Sequence, residues 1–105
     1  MEVAFKAAFI AHAPDGDAAT HRAVIETPKY KLLVVVARDQ EQAVAECRRM
    51  VDEEGIHAVM LCPGFTHRDV AEIAETVGPN VGVNVARGDG PGNRIAMEVI
   101  AREWA

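Results

Sequence analysis

Residues 32–62 read LLVVVARDQEQAVAECRRMVDEEGIHAVMLC, and this stretch decides the fold. LLVVVA (32–37) and IHAVMLC (56–62) are short apolar runs bounded by turn residues, the composition of strands covered on both faces. Between them Ala43, Val44, Cys47, Met50 and Val51 recur at helical spacing with charges on the opposite side, so the intervening segment reads as an amphipathic helix. Asp39 is placed to cap its start and Gly55 to end it. Strand, helix and strand in succession predict a parallel pair joined by a right-handed crossover.

The same alternation extends outward in both directions. VAFKAAFIA (3–11) reads as a first strand, and DAATHRAVIET (17–27) as a short helix with Asp17 as N-cap and Pro28 as its stop. THRDVAEIAETVG (66–78) offers Thr66 and Asp69 as a near capping box and turns Val70, Ile73, Ala74 and Val77 inward. VGVNVA (81–86) gives a fourth strand, and NRIAMEVIAREWA (93–105) a last helix with Ile95, Val99, Ile100 and Trp104 inward. The order βαβαβαβα predicts an α/β fold: a small four-stranded, mainly parallel sheet with helices on both faces and the flavodoxin-like strand order 2-1-3-4. Lys6 sits awkwardly in a strand expected at the centre, and two sheet edges need protection. Glycine and alanine alternate with valine along VGVNVA, which leaves one face of that strand almost bare and suited to a packed helix or a second subunit. A homo-oligomer, most simply a dimer, is therefore expected.

Composition bounds the possibilities. With 105 residues, 50% of them apolar, the chain matches one domain spanning residues 1–105. A net charge of −5, an isoelectric point near 5.3 and the lack of any basic run argue against nucleic acid or an anionic membrane as partner. The longest apolar run, Leu32 to Ala37, is far short of the roughly 20 residues that cross a bilayer. Cys47 and Cys62 lie inside apolar segments, and MEVAFK lacks a basic n-region before an apolar stretch, so a reducing, cytoplasmic setting is expected.

Parallel strands deliver their following loops to one carboxyl edge, and ligands bind there where the strand order reverses. HAPDGD (12–17), RDQ (38–40), CPGFT (62–66) and RGDGPGN (87–93) would converge on that edge, predicting a binding site drawn from His12, Asp15, Gly64, Phe65, His67, Arg87 and Asp89. The amides opening the helix at Thr66, and a glycine-rich loop flanked by Arg87 and Arg94, suit a small anionic molecule. The plainer reading of that glycine loop is a turn closing the fold. Cys62 and Arg68 stand with five residues between them, the spacing with which cysteine-dependent phosphatases wrap an oxyanion between a thiolate and an arginine. Pro63 removes an amide from such a loop and Asp69 opposes an anion, so Cys62 reads more simply as a small core hydrophobe. A mixed zinc set of Cys62, His67, His12 and Asp15 has no paired knuckle behind it, and no metal is assigned. Enzymatic activity and cofactor are left open by these residues.

FKAAFI, HRAVIETP, LCPGF and VGVNVARGDG, in this order over most of residues 3–90, resemble a group of uncharacterised proteins of about 100 residues, a domain of unknown function. The resemblance implies a small single-domain α/β protein and carries over no catalytic residue.

Overall fold

A computed structural model of the chain describes residues 4–88 and 90–104. In chain order the elements are β1 (Phe5–His12), β2 (Arg22–Glu26), β3 (Tyr30–Ala37), α1 (Gln40–Arg49) with a π-helical turn continuing it (Met50–Glu54), β4 (Ala58–Leu61), α2 (His67–Val77), β5 (Gly82–Val85) and α3 (Gly90–Glu103). One sheet holds all five strands in the order β2-β3-β1-β4-β5. The pairs β1–β3, β1–β4 and β4–β5 are parallel, while β2 runs antiparallel to β3. The strands expected from the sequence stand in the expected order, but the sheet has a fifth member and is mixed.

The fifth strand corrects the helix expected over residues 17–27. The Asp17 carboxylate accepts from the Ala19 N–H at 3.2 Å and the Thr20 hydroxyl at 3.0 Å, the bonds of an N-cap, and they hold its pKa below the usual range. Here they close a single turn. From Arg22 onward the backbone pairs with β3 instead, and Pro28 belongs to a hairpin turn in which Thr27 and Tyr30 exchange N–H···O bonds of 2.7 and 3.3 Å. Arg22 also reaches across to α1, where its guanidinium lies 3.2 Å from the buried Glu46 carboxylate, itself held by Arg49 at 2.9 Å. A buried carboxylate needs such partners, so this triad fixes β2 against the helix.

The helices α1 and α2 cover the same face of the sheet, not opposite ones. Ala8, Ile10, Leu33, Val35, Val59 and Leu61 share a face by strand alternation and are buried in one cluster with Ala43, Cys47 and Met50 on the α1 side and Ile73 and Val77 of α2. Cys47 is wholly enclosed there, and burial pushes its thiol pKa up to about 12. The steps from β3 to β4 and from β4 to β5 advance the same way across the sheet, so two right-handed crossovers put α1 and α2 on the same side. The other face is normally covered by a helix between the first two parallel strands, and β2 takes that place in the chain. Phe5, Ala7, Phe9 and Ala11 of β1, Tyr30, Leu32, Val34 and Val36 of β3, and Ala58 and Met60 of β4 therefore line the face that neither α1 nor α2 covers. Ile25 is 59% exposed, Phe5 49% and Met60 45%.

The last helix also departs from expectation. α3 begins at Gly90, inside the segment expected as a loop, and its supposed inward residues Ile95, Val99 and Trp104 are 56%, 42% and 49% exposed. The molecule measures 49 × 28 × 28 Å. No helix among the described residues is long and apolar enough to cross a membrane.

The amino edge is closed by polar bonds that resolve the position of Lys6. Its Nζ donates to the Glu54 carbonyl at 3.0 Å, its backbone N–H donates to His57 Nδ1 at 3.0 Å, and Lys31 Nζ meets the Glu54 carboxylate at 3.0 Å. Lys6 thus stands at the wet end of a central strand, with its charge clear of the core.

Candidate functional site

From β1 the chain moves outward to β3, then crosses back to β4, so the strand order reverses between β1 and β4. His12 ends β1 and Cys62 follows β4, which places both at that reversal on the carboxyl edge. A groove of about 560 Å³ opens there between the body of the protein and α3. Ala11, His12, Cys62, Pro63 and Gly64 form one wall, and Asn93, Ala96, Met97, Ile100 and Trp104 the other. The walls are mostly apolar, and none of these residues carries a carboxylate, ammonium or guanidinium.

His12 is the polar centre of the groove. Its ring stacks on buried Phe65 with centroids 3.8 Å apart and planes 26° from parallel. Its Nε2 is buried and has no hydrogen-bond partner among the described residues. Burial lowers the His12 pKa below the ordinary histidine value, against weaker upward pulls from Asp69, Asp39 and a backbone hydrogen bond with Gly64. The imidazole is consequently neutral near pH 7.

The CPGFT loop has little freedom. Cys62 N–H donates to the Ile10 carbonyl at 3.1 Å and Phe65 N–H to the Cys62 carbonyl at 3.4 Å. Thr66 and Asp69 complete the capping box at the start of α2, with bonds of 3.0 and 3.1 Å. These bonds occupy the N–H groups of Cys62, Phe65, Thr66 and Asp69, and Pro63 has none to offer. Gly88 passes so close to this loop that a Cβ on it would stand 2.5 Å from Pro63 Cβ. A Cβ on Gly64 would meet Cys62 Sγ at an ordinary 3.5 Å.

Of the residues expected at the site, the structure gathers His12, Cys62 and Gly64 at the groove, with Phe65 behind the imidazole. Asp15 is exposed in the loop after β1, Arg68 is exposed on α2, and Arg87 is exposed beyond β5. His67 is exposed at the start of α2 and lines a smaller hollow of about 360 Å³ between α2 and the end of β5. Asp89 lies outside the described residues. Arg94 pairs with Glu98 at 2.8 Å along α3. Among the described residues no group of three or more His, Cys, Asp or Glu side chains is placed to hold a metal ion. The α3 wall escaped the sequence reading because apolar residues at helical spacing signal core burial before they signal a groove.

The fold and groove define a small mixed-sheet α/β protein with an apolar, histidine-centred cleft at its carboxyl edge. Within that class the chain belongs to a family of unknown function, DUF6506, which matches residues 5–99. No curated protein and no solved structure matches it.

Proposed function

We propose that the protein binds a small molecule in the groove between the carboxyl edge and α3, a ligand with an apolar body and one anionic head. The supporting observation is the placement of the groove at the strand-order reversal, around a single half-enclosed imidazole. Met97, Ile100 and Trp104 suit the apolar body, and His12 is the group able to answer a charge. An anion beside a neutral, partly desolvated imidazole favours its protonation, so binding takes up a proton and tightens as the pH falls toward 6.

The reading is tested by thermal shift and isothermal calorimetry with octanoate, benzoate and inorganic phosphate. Octanoate or benzoate should raise the melting temperature, with affinity rising on acidification, and phosphate should not. Ala96→Phe, which fills the groove from the exposed side, and His12→Gln should each abolish the shift. Absence of any shift with both carboxylates, or an equal shift with phosphate, overturns the reading.

A further inference from the structure

Two apolar surfaces of this molecule have no partner among the described residues. The first is the sheet face opposite α1 and α2, whose β1, β3 and β4 residues include no charged side chain and whose β2 and β5 positions add Ala23, Ile25, Gly82 and Asn84. Sheet faces that meet water normally carry polar residues at alternate positions. The second is α3. At 100° per residue, Arg94, Glu98 and Arg102 share one narrow stripe, and the rest of the circumference from Asn93 onward is apolar except for Asn93 and Glu103 near the two ends of the helix. The groove accounts for only part of that arc. Ile95 and Val99 lie beyond it and face away from the protein's own body, as a helix does when it is sandwiched on two sides.

We infer that the chain forms a two-fold dimer in which the uncharged sheet faces pack together and each α3 lies against the other copy through Ile95 and Val99. A second copy is the occupant that fits, because a face without charges is complementary to itself under two-fold symmetry. The uncharged sheet contact also lets two chains of net charge −5 approach without bringing like charges together at its centre. The size agrees. With roughly 16 Å² of sheet per strand residue, the five strands present roughly 450 Å², and α3 adds roughly 200 Å². That total falls within the roughly 600–1,000 Å² per partner of standard stable interfaces. The sheets would stack at about 10 Å, the spacing of a sandwich core. The inference stands whether or not the groove binds the ligand proposed above.

The test is the mass of the full chain in solution, by sedimentation equilibrium at micromolar concentration. The wild-type protein should weigh twice 11.3 kDa. Ile25→Lys and Met60→Lys, on the uncharged face, and Ile95→Lys, on the outer side of α3, should each raise the dimer dissociation constant about a hundredfold or more with unchanged circular dichroism. Val24→Lys is the control, since Val24 neighbours Ile25, is 52% exposed and points to the opposite face. It should remain dimeric. A monomeric wild type, or a dimer indifferent to both Ile25→Lys and Met60→Lys, overturns the proposal. A dimer lost in those two but kept in Ile95→Lys overturns the part assigned to α3.

Discussion

His12 stands where three physical demands meet: it ends a central strand, it stacks on a core aromatic, and one of its nitrogens is buried without a partner. Because burial lowers its pKa in the folded protein, the unfolded chain binds the proton more readily as the pH falls through the ordinary histidine value near 6.5. Stability should therefore drop between pH 7.5 and 5.5, the loss levelling off below the folded pKa. Urea midpoints should show this drop in the wild type and a smaller one in His12→Gln. The two glycines of the site differ in the same concrete way. Gly88→Ala forces a Cβ into Pro63 and should cost roughly 1–3 kcal/mol, whereas Gly64→Ala meets only an ordinary contact and should stay within about 0.5 kcal/mol. Chemical denaturation of the two variants checks the contrast. At this scale the sequence was readable where a residue's role is local, as with the Thr66–Asp69 cap. The same cap also occupies the Thr66 N–H, one of the amides on which the cysteine-to-arginine reading drew.

At the scale of elements, the parallel strands, α1 and α2 were legible because hydrophobic periodicity, caps and terminal glycines agreed in each. Residues 17–27 misled because Asp17 has the same chemistry in a turn as in an N-cap, and the choice between helix and strand was made by the free edge of β3. That is a tertiary demand, invisible to local pattern. β2 is accordingly held by contacts from elsewhere in the chain, its ladder with β3 and the Arg22–Glu46–Arg49 group. Arg22→Ala should reduce global stability by only about 1 kcal/mol, since the arginine is partly solvated and Arg49 still serves the carboxylate. Its local effect should be larger, with amide exchange in β2 quickening while β1 and β4 keep their protection. Uniform loosening of all strands would contradict this placement of β2 as a separately anchored edge.

For the molecule as a whole, the parallel topology brought distant loops to one edge as expected, and the groove lies there. The exposure of one sheet face was not legible, because strands covered on both sides and strands covered on one side by helices and on the other by a subunit share the same apolar composition. The position of α3 was hidden for a related reason: its apolar residues indicate burial without naming the surface that buries them. If the second copy holds α3, then the groove's outer wall is set by association, and octanoate should bind more tightly above the dimer dissociation constant than below it. Calorimetry at two protein concentrations reads this coupling, and equal affinities would separate the groove from the dimer.

The two thiols of the chain live in different worlds: Cys47 is sealed in the core, while Cys62 forms part of the groove wall. A library of disulfide-bearing fragments would therefore exchange at one address, and those whose tails fit beneath Trp104 would be retained longest. The protein carries its own covalent hook for fishing out the shape of its ligand.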